Sequence, residues 1–160
     1  MTIPELQRPY AWGREQAREL VSDLEKLYDA RVEGRSNPQH FFGTLVVLTK
    51  AHGRDEIIDG QQRMTTISLL MGLIEQSFLD LQKRCETNAR LNAGNRSQKD
   101  HFTNLAENAG SRARTVHEHV WFSDGIAGPD GKMVWHPRLE VSAEIRGTFQ
   151  EIIDGKKGIV

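Results

Sequence analysis

Hydrophobic residues recur along the chain at spacings that predict where its helices lie. From Arg14 an apolar residue appears every three or four positions, which is typical of a helix with one buried face. That face consists of Ala17, Leu20, Val21, Leu24, Leu27 and Tyr28. A stronger stripe begins after Arg63, continues to about Thr87 and predicts a long core-facing helix. Its members are Met64, Ile67, Met71, Ile74, Phe78 and Leu81, widened by Leu70 and Leu73.

Continuous apolar runs that are bounded by turn residues predict strands. Residues 41–48, FFGTLVVL, are typical of a strand that is covered on both faces, and the isoleucines at 57–58 indicate the end of a partner strand. A Pro-Asp-Gly turn within residues 120–135 predicts a hairpin. A final helix that ends at Gly155 is indicated by Val141, Ile145, Phe149 and Ile152.

Residues 87–114 follow neither pattern. Asn, Arg, Ser and Gly dominate this segment, and its apolar residues are sparse. Such a composition indicates either a mobile connection or a polar helix with weak burial. We therefore expect a partly flexible polar segment near residues 87–114.

Length and composition restrict the class of protein. The 160 residues suffice for one domain with a core, so residues 1–160 are treated as a single domain. Lys and Arg number 21 against 22 Asp and Glu, so no global positive field indicates nucleic-acid binding, although a local basic groove is compatible with this balance. The single cysteine, Cys85, excludes an internal disulfide and fits a reducing, cytoplasmic setting. No apolar run approaches the roughly 18 residues of a membrane span, so no membrane contact is expected.

The segment EIIDGQQRMTT, residues 56–66, places many hydrogen-bonding groups at the joint between a strand and the long helix. A tight turn at Asp59 and Gly60 leaves the first N–H groups of that helix unpaired. Such a terminus attracts anions, because its free donors and the helix dipole act in the same direction. Gly60 lets a ligand approach the backbone closely. The joint is therefore a candidate anion site.

Side chains at this joint point to phosphate in particular. Gln61 and Gln62 supply donors and acceptors, and Arg63 supplies a planar fork that suits phosphate. Asp59 would repel phosphate, so we interpret it as a metal ligand, as a holder of Arg63 or as a base that orients water. The alternative is that Asp59 caps the helix, the following threonines satisfy its first turn and the glutamines are solvated.

A second polar cluster precedes the first helix. The segment QRPYAW contains Gln7 and Arg8, followed by Tyr10 and Trp12. An arginine beside two aromatic rings can stack on a base or take part in cation–π contact. Two Gln-Arg pairs, each ahead of a helix, predict convergence on one pocket. The alternative is that the aromatic rings pack on the first helix while Arg8 pairs with a surface acid.

Other chemistry-bearing residues give weaker signals. The His-Glu-His run at 117–119, with His101 or His136, has a spacing compatible with a metal site. Neither cysteine nor carboxylate spacing supports that site, so we favour solvent-exposed histidines. The basic residues Arg96, Lys99, Arg112 and Arg114 either contact a nucleic-acid backbone or serve solubility.

Three segments together resemble a known family. IPELQRPYAW, HFFGTLVVL and IIDGQQRMTTISLL occur in an order and spacing similar to those of the GmrSD-type, modification-dependent restriction endonuclease N-terminal domains. A weaker resemblance continues at HPRLEVSAEIRGTFQEII. It implies an α+β fold similar to that of ParB and sulfiredoxin, with a small mixed sheet flanked by helices. It also implies nucleotide binding and hydrolysis, and a role in defence against modified phage DNA.

The resemblance implies roles for individual residues as well. The expected nucleotide-binding residues are Gln7, Arg8, Tyr10, Trp12, Gly60, Gln61, Gln62, Arg63 and Thr65. The expected catalytic residues are Arg8, Asp59, Gln62 and Arg63. Asp59 is also the expected metal ligand. A nucleoside triphosphate and Mg²⁺ are therefore the expected ligands.

Members of that family commonly continue into a helical region with an HNH nuclease motif, and this sequence ends before such a motif. We therefore expect a truncated N-terminal domain that meets DNA through the missing region or a partner chain and does not cut DNA alone. Self-association is left open. The leading hypothesis is an NTP-hydrolysing domain of a modification-dependent restriction system. The alternatives are a non-catalytic DNA-binding or regulatory ParB-like module and a degenerate fragment with little activity.

Overall fold

Four helices and four short strands make up the part of the chain that the structure describes. The computed structural model describes residues 1–4, 9–35, 39, 41–51, 53–123, 125, 128–130 and 132–155. In chain order the elements are α1 (Arg14–Val32), β1 (Val46–Leu48), β2 (Glu56–Asp59), α2 (Gln61–Leu91), α3 (Arg96–Val120), β3 (Trp121–Phe122), β4 (His136–Pro137) and α4 (Ala143–Ile153). The predicted α+β class is confirmed.

The strands form two antiparallel ribbons that the N-terminal residues join. β1 pairs with β2, and β3 pairs with β4. Thr2 lies in parallel bridges to Glu56 on one side and to Glu140 on the other. The N–H of Thr2 donates to the Asp55 carbonyl at 2.9 Å, and the N–H of Ile3 donates to the Glu140 carbonyl at 2.8 Å. The described strands therefore form two small antiparallel sheets that isolated parallel bridges of Thr2 connect, while the likeness to ParB and sulfiredoxin stays a prediction.

The main core lies where these strands meet α2, α3 and α4. Its buried members are Ile3, Ile57, Val120, Trp121, Leu139, Val141, Phe149 and Ile153. Ile57 of β2 is fully enclosed. Because Ile57 lies two residues before Asp59, its packing anchors the strand end that leads into α2.

Helices α2 and α3 pack closely through small residues. The buried positions of α3 include Ala106, Ala109, Gly110 and Ala113. α3 begins after Asn95, whose side chain accepts a hydrogen bond from the Gln98 N–H at 3.2 Å. Residues 87–114 therefore belong to the end of α2, a short turn and α3. The polar-helix alternative is right and the mobile connection is wrong. The sequence did not decide between them because an interface of alanine and glycine gives little hydrophobic periodicity.

Helix α2 is longer than predicted and buries other residues than its apolar stripe suggests. Its buried positions are Gln61, Thr65, Gly72, Glu75 and Cys85. The predicted apolar stripe is only half-buried, and Leu81 is 46% exposed. At Gly72, a Cβ atom would lie 2.9 Å from the Ile153 Cγ2 of α4. This close approach of α4 requires a small residue, which a hydrophobic pattern does not reveal.

The apolar segment 41–48 is a strand only at its end. All three residues of β1 are exposed, and Phe41 ahead of it is 82% exposed. The prediction of a strand covered on both faces is therefore wrong. β1 belongs to a ribbon of two strands, which offers too few neighbours to cover both faces.

The remaining elements agree with the sequence pattern in outline. α1 begins at Arg14 as predicted, although Leu20 is its one buried residue among those described. The predicted hairpin pairs β3 with β4, so its second strand begins at His136, slightly later than the apolar residues 133–135. α4 ends before Gly155, whose φ is +68°. Among the described helices, none has both the length and the apolar character to cross a membrane.

Candidate functional site

An open pocket lies at the joint between β2 and α2. Its volume is about 560 Å³, and it is lined by Trp12 and the consecutive residues 58–63. β2 ends at Asp59 and α2 begins at Gln61, so Gly60 alone separates strand from helix. The tight turn predicted at these residues is confirmed. One wall of the pocket is therefore the N-terminus of α2.

Gly60 makes this joint sterically feasible. Its φ is +90°, in the left-handed region that residues with a Cβ rarely adopt. A Cβ here would lie 2.9 Å from Leu45 Cδ1 and 3.1 Å from the Thr44 carbonyl oxygen. Gly60 is also the N-cap of α2, and no side-chain cap of that helix is found among the described residues. The first turn of α2 therefore keeps donors for an anion, and the interpretation of Asp59 as a helix cap is wrong.

Arg63 holds the segment that precedes β1. Its Nη1 donates to the Phe42 carbonyl, and its Nη2 donates to the Thr44 carbonyl at 2.9 Å. Gly43 lies between them with φ +86°, and a Cβ there would collide with the guanidinium. A guanidinium has five N–H donors, so three remain beyond these two bonds. Arg63 is therefore able to contact a ligand in the pocket while it holds this segment.

Gln62 ties the segment ahead of α1 to the start of α2. Its Oε1 accepts from the N–H of Ala11 at 2.7 Å and from the N–H of Trp12 at 3.2 Å. Its Nε2 donates to the Pro9 carbonyl at 3.0 Å. An amide oxygen has two lone pairs, and both are used here. The side chain of Gln62 therefore fixes the position of Trp12 at the pocket.

Three other predicted residues lie in or contact the elements that meet at the pocket. The hydroxyl of Tyr10 lies 2.9 Å from Thr66 Oγ1. Gln61 is buried, and its Nε2 donates to the Ile57 carbonyl at 2.9 Å. Thr65 is only 1% exposed and is not a lining residue of the pocket. Tyr10 and Thr65 therefore support the pocket wall without lining it, whereas Gln61 is one of its lining residues.

Asp59 supplies a carboxylate at the pocket, and its side chain is exposed. Its Oδ1 accepts from the Gly60 N–H at 2.8 Å. Because backbone carbonyls hold Arg63, the interpretation of Asp59 as its holder is wrong. Within the described ranges, no group of three or more His, Cys, Asp and Glu side chains is arranged to hold a metal ion. A single carboxylate suits Mg²⁺ that takes its other ligands from phosphates and water.

The predicted convergence of two Gln-Arg pairs falls partly outside the described residues. Gln7 and Arg8 are not among those residues, so their predicted place in the pocket stays a prediction. From the same segment the structure brings Trp12 to the pocket. It lies there beside residues 59–63, which were predicted from the strand–helix joint.

The histidines form no metal site in the described part of the chain. His117 Nδ1 lies 2.7 Å from Glu75 Oε1, and the imidazole packs edge-on against Trp135 with ring centroids 4.6 Å apart. Glu75 is buried, whereas His119 is exposed. The expectation of exposed histidines therefore holds for His119, while His117 links α3 to α2.

Two parts of the pocket region did not follow from the sequence. Ile58 lies in β2 as predicted, but its place in the pocket lining, with 41% of its surface exposed, was not predicted. The carbonyls of Phe42 and Thr44 orient Arg63, and backbone carbonyls have no residue signature. Gly43, a glycine inside an apolar run, was the one available signal, because such a glycine often marks a close backbone approach.

These features define an α+β domain with a polar, anion-compatible pocket at a strand–helix joint. The family model described as the GmrSD restriction endonuclease, N-terminal domain, matches residues 1–124 of the 160. The chain therefore belongs to this family, and the family connects it with restriction systems. The match includes α1 to β3 and ends before β4 and α4. A comparison with curated proteins found no match.

Proposed function

We propose that this domain binds a nucleoside triphosphate at the β2–α2 joint and hydrolyses it. The observation that carries the proposal is a single pocket of about 560 Å³ that unites an uncapped helix N-terminus, an arginine and a carboxylate. Phosphate groups are bound by backbone N–H groups at a helix start and by guanidinium forks. The pocket combines both with room for a ligand.

Arg63 and the first turn of α2 bind the phosphates in this proposal. Hydrolysis breaks the bond between the γ-phosphorus and its bridging oxygen as water adds to phosphorus, which yields a nucleoside diphosphate and phosphate. Negative charge moves onto oxygens that positioned donors stabilise. Arg63 is preorganised for this role because two carbonyls already fix its guanidinium. Gln7 and Arg8, which lie outside the described residues, are proposed as further binding groups by resemblance.

Asp59 acts on the metal ion or on the attacking water in this proposal, whereas Arg63 binds the phosphates. Its exposed carboxylate fits Mg²⁺ that is held mainly by phosphates, and bound Mg²⁺ supplies charge neutralisation on those phosphates. The same carboxylate is placed to orient a water molecule as a general base. In both roles its negative charge matters for turnover more than for nucleotide affinity.

The hydrolysis is proposed to serve a modification-dependent restriction system. DNA would be bound by a region beyond this domain or by a partner chain, and nucleotide turnover here would control that action. The competing function is a non-catalytic module that uses the same donors on a DNA backbone. Both functions need anion contacts at the α2 N-terminus, and only the first releases phosphate.

The test is calorimetric titration with ATP, GTP, CTP and UTP in turn, each with Mg²⁺, together with a phosphate-release assay. Arg63→Ala should weaken the affinity for the preferred nucleotide by about 1.5–3 kcal/mol, the value of a charge-assisted hydrogen bond. Arg63→Lys keeps the positive charge without the planar fork, so its nucleotide affinity should lie between those of the unmodified protein and Arg63→Ala. Arg84→Ala, at an exposed position of α2, is the matched control.

Melting temperatures of the same variants separate binding from folding, because Arg63 also holds residues 42–44. An Arg63→Ala protein that melts close to the unmodified protein yet binds nucleotide equally well would contradict the proposed role of Arg63. Nucleotide binding to the unmodified protein without any phosphate release, alongside DNA binding, would favour the non-catalytic module instead.

A further inference from the structure

We infer that the pocket has two chemically distinct ends and that Trp12 is the platform on which the nucleobase stacks. This inference rests on the proposed function and assigns the base to one part of the same site. Trp12 and Ile58 are the apolar residues among those that line the pocket, and residues 59–63 provide its polar wall. A nucleotide has the same division, because its base is apolar on both faces and its phosphates are charged.

The two apolar side chains are accessible to a ligand. Ile58 is 41% exposed at the end of β2, directly before the polar wall begins. Trp12 is half-buried and lines the pocket, so part of the residue is accessible to a ligand. Every base has a π-face, so aromatic stacking binds bases with little selectivity between them. Trp12 would therefore raise the affinity for nucleotides above that for inorganic phosphates, and it would discriminate little between one base and another.

Gln62 is the positioning residue for this platform. Its amide binds three backbone groups of residues 9–12 and so fixes Trp12 relative to the start of α2. The segment also contacts α2 through the hydroxyl pair of Tyr10 and Thr66. All three of these amide hydrogen bonds go to the segment that carries Trp12, so we assign Gln62 a role that acts on the nucleotide through Trp12.

The experiment compares two ligands, inorganic triphosphate and the preferred nucleoside triphosphate, by calorimetry with Mg²⁺. Trp12→Ala should weaken nucleotide binding at least about tenfold and leave the affinity for inorganic triphosphate within about twofold. Trp12→Phe, which retains a ring, should recover most of the loss. Trp135→Phe, at a 43% exposed tryptophan outside the pocket, should change neither affinity.

Gln62→Leu should weaken nucleotide binding by a similar factor. The double variant Gln62→Leu with Trp12→Ala should lose no more nucleotide affinity than either single variant. Such non-additivity identifies residues that act through one another.

Equal losses for both ligands in Trp12→Ala, or no loss for either, would overturn the inference. If the unmodified protein binds inorganic triphosphate and nucleotide equally well, the platform is refuted while the phosphate site survives. If it binds neither ligand, the proposed function itself fails.

Discussion

Gly60 shows how one residue determines whether the pocket forms. Gly60→Ala should destabilise the domain by about 1–3 kcal/mol, because a Cβ at φ +90° is strained and would press on Leu45. The measurement is chemical denaturation. Gly53→Ala is a close control, because Gly53 has φ +99° but no atom of the described residues within 4 Å of an added Cβ. Gly60→Ala should therefore cost more than Gly53→Ala, and equal costs would show that the contact with Leu45 is unimportant.

Asp59 allows charge to be separated from shape at a single position. Asp59→Asn keeps an oxygen that can accept from the Gly60 N–H, so the turn and the melting temperature should be preserved. Nucleotide affinity should change little, whereas turnover at saturating nucleotide should fall about 100-fold or more if the carboxylate assists the attacking water. Phosphate release measured beside calorimetry checks both. A variant with undiminished turnover would exclude Asp59 from the chemistry.

For single residues, the sequence predicted interactions between neighbours along the chain and missed interactions between distant positions. The turn at Asp59 and Gly60 and the donors of Arg63 follow from local chemistry, since strand, turn and helix succeed one another within a few residues. The hydrogen bonds from Gln62 to residues 9–12 span about 50 positions along the chain. Nothing in a glutamine indicates which distant backbone it will bind. The sequence therefore indicated where the pocket lies without revealing that Gln62 holds Trp12.

Two helical glycines provide a test at the level of packed elements. Gly72→Ala should destabilise the domain by about 1–3 kcal/mol, because its Cβ would meet Ile153 at 2.9 Å across the α2–α4 contact. An added Cβ at Gly147 in α4 meets no described residue within 4 Å, so Gly147→Ala should stabilise the domain by about 0.5–1 kcal/mol through helix propensity. The free energies of unfolding measure both. The same sign for both substitutions would contradict the close α2–α4 approach.

Helices with a periodic apolar stripe were predictable, whereas the helix that packs through small residues was only one of two alternatives. α1, α2 and α4 followed from periodic apolar positions. α3 did not, because its buried face is built from alanine and glycine. β1 shows the opposite error. Its continuous apolar sequence indicated burial, yet a ribbon of two strands leaves its residues exposed.

For the whole molecule, we predict that this polypeptide alone does not cut DNA. An HNH-like centre needs a histidine base and a metal held by further side chains. In the described ranges His117 pairs with Glu75, and no cluster suited to a metal occurs. The formal net charge of −1 also opposes strong unaided binding to duplex DNA. Purified protein should leave plain and modified plasmid intact with Mg²⁺ or Mn²⁺, with and without nucleotide.

The Asp59→Ala variant serves as the control for this prediction. Nicking that requires metal, accompanies the protein through purification and disappears in Asp59→Ala would place a nuclease centre in the pocket itself. Nicking that separates from the protein during purification would instead be assigned to a contaminating nuclease.

The position of Thr2 and Ile3 has a consequence for the time course of folding. Thr2 bonds to Asp55, which lies more than 50 positions away along the chain. Ile3 bonds to Glu140, which lies more than 130 positions away. Contacts between such distant residues slow folding, because long loops must close before the contact is gained. During synthesis, Ile3 must wait for Leu139 and Val141 before its apolar surroundings are complete. The helical pair α2–α3 can form earlier from nearby residues, so the helices should assemble first and the strands that unite the domain last.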